Sequence, residues 1–111
     1  MKKLILAFLV SVLIFPISTK ATNLGETLKP VITANNAVRV SNNIIFDASA
    51  SLVLDNRFAP TFSWNFGDGT FGRGDNVVHA YREPGQYTVK LTLAQGSESA
   101  TIMQDVFAYQ K

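Results

Sequence analysis

The chain has 111 residues, 47% of them hydrophobic, with ten Lys and Arg against eight Asp and Glu and no cysteine. A chain of this length holds one small domain, and the missing cysteine excludes disulfide staples, thiolate metal sites and a lipid-modified amino-terminal cysteine. Lys2, Lys3 and Lys20 supply the basic excess; without them seven basic residues face eight acidic ones, which is no footprint for nucleic acid.

Lys2-Lys3 opens a run from Leu4 to Phe15 that is apolar except for Ser11, then Pro16 breaks it and Thr19-Lys20-Ala21 offers a small-x-small cleavage site. Residues 1–21 are therefore expected to be a signal peptide. The run is shorter than the roughly 20 residues that span a bilayer, so no membrane contact is expected after cleavage, and the expected location is secreted or periplasmic. Residues 22–29 read as a short polar leader, and 30–111 as the folded domain.

Pro30 starts an extended stretch, Val31 to Ala34, ended by Asn35-Asn36. Val38 to Ser41 alternates apolar with polar, and Asn42-Asn43 marks a turn. In Ile44-Ile45-Phe46-Asp47-Ala48-Ser49, Ile44, Phe46 and Ala48 share one face. Leu52-Val53-Leu54 follows in a loop region, where an extended segment turns at least one apolar side chain outward. It is expected to be an extra edge strand over the core or an exposed partner surface.

Phe62, Trp64 and Phe66 form the clearest period-2 run. Asp68-Gly69 is a two-residue hairpin signal, with a type I′ turn needing positive φ at both positions; such a turn places Phe66 opposite Phe71 on one face. Val77 to Tyr81 is a further strand, Pro84-Gly85 a turn, and Tyr87, Val89, Leu91 and Leu93 alternate with polar residues. Gly96-Ser97 separates them from a last strand, about Ser99 to Tyr109. With no sustained 3.6-residue period and turn signals every 8 to 12 residues or so, the pattern predicts an all-β, two-sheet antiparallel sandwich of about seven strands.

The residues Trp64-Asn65-Phe66-Gly67-Asp68-Gly69, His79-Ala80-Tyr81 and Pro84-Gly85-Gln86-Tyr87-Thr88-Val89 resemble the signature of the polycystic kidney disease (PKD) domain family. Ile44 to Ser49 looks like that family's second strand, and the likeness spans about Pro30 to Tyr109. It implies an Ig-like fold in an exported bacterial protein that binds protein or carbohydrate. Asn65 stands where the family has an acidic residue. Some collagenase-linked relatives hold calcium through an Asp-Gly-rich loop; here Leu52 to Asn56 replaces it, leaving Asp55 and Asn56 as the only calcium candidates, fewer oxygens than that ion takes. No metal or other cofactor is expected.

The remaining motifs have plainer readings. Gly67-Asp68-Gly69-Thr70-Phe71-Gly72 matches G-x-G-x-x-G, but no helix follows and Lys90 stands where a ribose-binding acid is required, so the glycines are turn-formers. Arg73-Gly74-Asp75 is the tripeptide that integrin ligands carry, and its plainer reading is a solvated loop. His79, the only histidine, lacks partners for a metal site and a Gly-x-Ser-x-Gly nucleophile; beside Tyr81 it reads as structural. Asp68 is explained as a turn residue whose carboxylate accepts local N–H groups, so an Asp68–Asp47 acid–base pair is not expected. Trp64 belongs in the core by its alternation, while Phe58, Phe107 and Tyr109 are better surface platforms. The function expected is a non-catalytic module that contacts protein or polysaccharide, with Leu52 to Leu54 and Arg73 to Asp75 as binding candidates. The alternative is an accessory subunit of an envelope or secretion complex, docked through a sheet edge or Leu52 to Leu54. Oligomeric state is left open.

Overall fold

A computed structural model of the protein describes residues 27–54 and 58–110. The expected signal peptide, the first part of the leader and the calcium candidates Asp55 and Asn56 lie outside the described residues. The described residues form seven strands: β1 (Ala37–Arg39), β2 (Ile44–Asp47), β3 (Thr61–Asn65), β4 (Phe71–Arg73), β5 (Asn76–His79), β6 (Gly85–Gln95) and β7 (Glu98–Tyr109). They form a five-stranded sheet in the order β1-β7-β6-β3-β4 and a two-stranded sheet, β2-β5.

The core lies between the two sheets. Ile44, Phe46 and Ala48 on and beside β2 meet Trp64, Phe66, Val89, Leu91, Val106 and Ala108 from the larger sheet, and Val38 and Tyr81 belong to the same cluster. Alternation dictates this: along β6, Val89, Leu91 and Leu93 are fully buried while Thr88 and Lys90 are exposed. Each such aliphatic side chain contributes about 1.5–3 kcal/mol on leaving water.

Three expectations need correction. The sandwich is not wholly antiparallel, because β1 runs parallel to β7, pairing Ala37 with Phe107 and Arg39 with Tyr109. The first extended stretch changes sheets: Thr33 bridges Asp47 beside β2, and by Asn36 the backbone carbonyl accepts the Phe107 N–H of the other sheet at 2.8 Å. Val31 to Ala34 therefore contributes one bridge rather than a strand, and β4 takes its place in the count.

The Asp68-Gly69 hairpin is not a two-residue type I′ turn. Positive φ occurs at Gly67 (86°) and Gly69 (91°), and Ser41 is the only described non-glycine residue with positive φ, so Asp68 has negative φ. The loop is longer, with the Phe66 N–H donating to the Thr70 carbonyl at 3.1 Å and Asn65 opposite Phe71. That one-residue change turns Phe71 to the outside, where it is 72% exposed, while Phe66 is 3% exposed. Gly67 causes it: a Cβ there would lie 2.6 Å from the Thr88 carbonyl oxygen, so the loop leans directly onto β6.

Pro84-Gly85 stands at the crossover from β5 to β6. Gly85 already pairs with Ala108 in the larger sheet, and the segment carries the chain over from β5 in the smaller one. Gly96-Ser97 does join β6 to β7, with Gln95 paired to Glu98.

Candidate functional site

The densest cluster of chemistry-bearing side chains gathers the signature residues. Phe66, His79, Tyr81 and Tyr87 stack in sequence: Phe66 and His79 are 4.2 Å apart, His79 and Tyr81 4.7 Å edge to face, and Tyr81 and Tyr87 4.1 Å. Tyr81 is fully buried and its hydroxyl donates to the Phe66 carbonyl at 2.8 Å. Burial first, then the negative charge of Asp68 and the neighbouring Tyr87, push its phenol well above its ordinary value, so it stays a neutral donor. Tyr87 in turn donates to the Glu83 carbonyl at 2.7 Å.

Asp68 joins the loop to this stack. One carboxylate oxygen accepts the Thr70 N–H at 3.1 Å and the Thr70 hydroxyl; the other faces His79 Nε2 at 2.8 Å. Partial burial raises the carboxyl pKa, but the hydrogen bonds from Thr70 and His79, with the Coulombic attraction of His79, outweigh it and hold Asp68 below the ordinary carboxylate value.

The trio looks like a hydroxyl–imidazole–carboxylate relay, yet its geometry prevents that chemistry. A relay uses both ring nitrogens, one toward the hydroxyl and one toward the acid. Here a single nitrogen, Nε2, faces Asp68 and lies 3.4 Å from the Thr70 oxygen, while the hydroxyl proton goes to Asp68. The hydroxyl is left with a carboxylate held below its ordinary pKa, a weak base, in place of an imidazole. The shallow depression beside it is lined by Asp68, Thr70, His79, Ala80, Arg82, Glu83 and Tyr87. Among the described residues no group of three or more His, Cys, Asp or Glu is placed to hold a metal.

Arg73-Gly74-Asp75 is a pinned corner between the sheets rather than a loop tip. The Gly74 N–H donates to the Phe62 carbonyl at 3.0 Å and the Ala48 N–H to the Asp75 carbonyl at 2.7 Å, while the buried Trp64 indole N–H donates to the Gly74 carbonyl at 2.8 Å. Arg73 and Asp75 remain exposed. Leu52 exchanges both backbone bonds with Lys29, each 2.9 Å, and the Leu54 N–H donates to the Gln95 side chain at 2.7 Å. The segment is thus tied to the frame while Leu52 and Val53 stay 57% and 42% exposed.

A third surface was not singled out from the sequence. The register places Phe71, Asn65, Lys90 and Met103 in one row across β4, β3, β6 and β7 on the outer face of the five-stranded sheet. With strands about 4.8 Å apart the row is roughly 14 Å long. Phe71 and Met103, at its two ends, are 72% and 60% exposed, and Phe107 and Tyr109 extend the same face along β7. Between the apolar groups lies a polar floor in which Asp105 accepts from Thr88 Oγ1 at 2.8 Å and from Gln86 Nε2 at 3.1 Å. Phe107 and Tyr109 carried the only sequence signal for this face. Phe58, the other platform candidate, lies instead against Gly96, where a Cβ would come within 2.9 Å of its ring.

The sequence pattern of the PKD domain matches residues 27–108. Collagenase ColA of Bacillus cereus is 44% identical over 52 residues, covering 40% of this chain and 5% of its own length; the chain spans only about a twentieth of that relative. A solved structure of carbohydrate-binding modules from the β-sandwich superfamily superposes with a TM-score of 0.70 at 26% identity, over 77% of this chain and 35% of the other. The PKD1 domain of the Vibrio cholerae metalloprotease PrtV superposes at 0.61 and 19% identity, over 75% and 98%, a likeness of fold alone.

Proposed function

The chain belongs to the PKD domain family, and from that premise we propose that it is an exported, non-catalytic module that binds protein or polysaccharide surfaces through the outer face of its five-stranded sheet. The observation that carries the reading is the row from Phe71 to Met103, where exposed apolar side chains flank Asn65 and Lys90 on an open face. Flat polymers suit such a face: rings and thioethers desolvate against a sugar or peptide surface, and amide, hydroxyl and ammonium groups orient it. The carbohydrate-binding neighbour and the collagenase relative support the two ligand classes. Export is supported by Lys2-Lys3, the apolar run and the Ala21 site, and amino-terminal sequencing of the protein from the cell envelope or medium should begin at Thr22.

The test is co-sedimentation with insoluble chitin, cellulose, peptidoglycan and collagen. Wild type is expected to sediment with at least one, and Phe71→Ser with Met103→Ser to lose at least about tenfold in affinity, as expected for removal of central apolar anchors. Retention by the double variant, or sedimentation with none of the four, overturns the reading. Tryptophan fluorescence is a poor reporter, because Trp64 is 1% exposed.

The exposed pair Leu52 and Val53 favours a second reading, an accessory subunit of an envelope complex docked at this segment. Crosslinking in intact cells from position 53 should then recover one defined complex, whereas crosslinking from position 103 should not.

A further inference from the structure

We propose that the free edge of β5 pairs with β5 of a second copy, joining two two-stranded sheets into one four-stranded sheet across a two-fold axis. The inference is independent of the outer-face reading, because it concerns the opposite layer of the sandwich.

Among the described residues β5 forms a backbone ladder only with β2. Outside that ladder, no backbone hydrogen bond reaches residues 76–80 among the described residues. In an antiparallel ladder alternate residues turn both N–H and C=O away from the partner. Half of the polar groups of β5 therefore lie along an open edge.

Natural sheet edges are blunted by charge, proline or brevity. The two edges of the larger sheet follow that rule: β1 and β4 have three residues each, with Arg39 and Arg73. β5 reads Asn-Val-Val-His, four residues without a carboxylate, lysine, arginine or proline. Of its two outward side chains, Asn76 and Val78, Asn76 donates to the Asp47 carboxylate across the ladder, and Val78 stands directly opposite Ile45 of β2, the two being 59% and 61% exposed. Two β-branched side chains thus sit side by side in solvent next to unpaired backbone.

Symmetry favours a second copy as the occupant. In an antiparallel pair about an axis normal to the sheet, opposed residues must face the same side, which permits Val78 opposite Val78 of the other copy. The row then reads Ile45, Val78, Val78, Ile45, four contiguous β-branched side chains that cover one another's flanks. An edge without formal charge offers no charge pattern to select a foreign strand, whereas identical rows match by construction. Four side chains and a few backbone bonds make a small interface, so association is weak and concentration-dependent.

Sedimentation equilibrium of the purified protein between about 10 μM and 1 mM covers the range of such weak pairs. Wild type should move from the monomer mass toward twice that value. Val78→Lys places two ammonium groups across the axis and should raise the dissociation constant at least about tenfold, with an unchanged circular dichroism spectrum because the side chain points outward. Ile45→Lys, on the neighbouring strand, should weaken the pair less, and Met103→Lys, on the opposite face, should leave it intact. A wild type that stays monomeric throughout, or a dimer abolished by Met103→Lys and untouched by Val78→Lys, overturns the proposal.

Discussion

The signature cluster and the outer face of the five-stranded sheet use similar residue types to opposite ends. Around Tyr81 the polar groups are spent on one another: the phenol on the Phe66 carbonyl, Asp68 on Thr70 and His79, and Tyr87 on Glu83. On the sheet face Phe71, Met103 and Phe107 are more than half exposed and Lys90 has no ion pair among the described residues. The lesson concerns where to look for function. Residues that define a fold are recognisable because their geometry is demanding, and meeting that geometry consumes their chemistry. The proposed function gives contact with other molecules to the plainer face of the larger sheet.

The contrast is tested most severely at Trp64. It is fully enclosed, stacked on Phe66 at 6.3 Å and tilted against Phe46 at 5.6 Å, so Trp64→Ala should cost about 3–5 kcal/mol in denaturant titration. A variant melting like the parent would move the indole to the surface. Tyr81→Phe keeps the ring but leaves the Phe66 carbonyl buried and unpaired, for about 1–3 kcal/mol. Gly67→Ala should also destabilise, by about 1–2 kcal/mol from the left-handed backbone alone, with the close approach to Thr88 adding to it. At the other extreme, Asp75→Ala should stay within about 0.5 kcal/mol, because the pinned corner uses the carbonyl of that residue and not its carboxylate.

Asp68 links the contrast to pH. Its carboxyl is held below the ordinary value in the fold, so the unfolded chain takes up the proton first as pH falls. The contribution is complete above the unfolded pKa, near 3.9, and disappears as pH drops through the lower folded value. Melting temperature against pH should therefore fall more steeply below about pH 4 for wild type than for Asp68→Asn. Parallel curves would mean that the carboxylate is not engaged.

Much of the fold was legible because period-2 alternation in Phe62 to Phe66 and Tyr87 to Leu93 reports burial directly, strand by strand. What was not legible depends on contacts between distant parts of the chain. The side on which Phe71 emerges is decided where Gly67 meets Thr88 in another strand; local turn statistics favoured the shorter hairpin and hence the wrong face. Asp68 was half readable: its bonds to Thr70 are local, whereas the one to His79 spans eleven residues. The parallel β1 followed no sequence signal, since joining β7 instead of β2 is settled only once the sheets have formed. The outer face proposed for binding was the least legible part, because exposed Phe and Met in a strand look like core until the register is known.

The most direct test is a map of backbone amide shifts in nitrogen-15-labelled protein as soluble collagen peptides and chitin oligosaccharides are titrated in. The account predicts that at least one of the two shifts Phe71, Lys90, Met103 and their strand neighbours, with Asp68, Thr70 and His79 unmoved. Shifts centred on the depression beside Asp68 and Arg82, or no shifts with either probe, would contradict it.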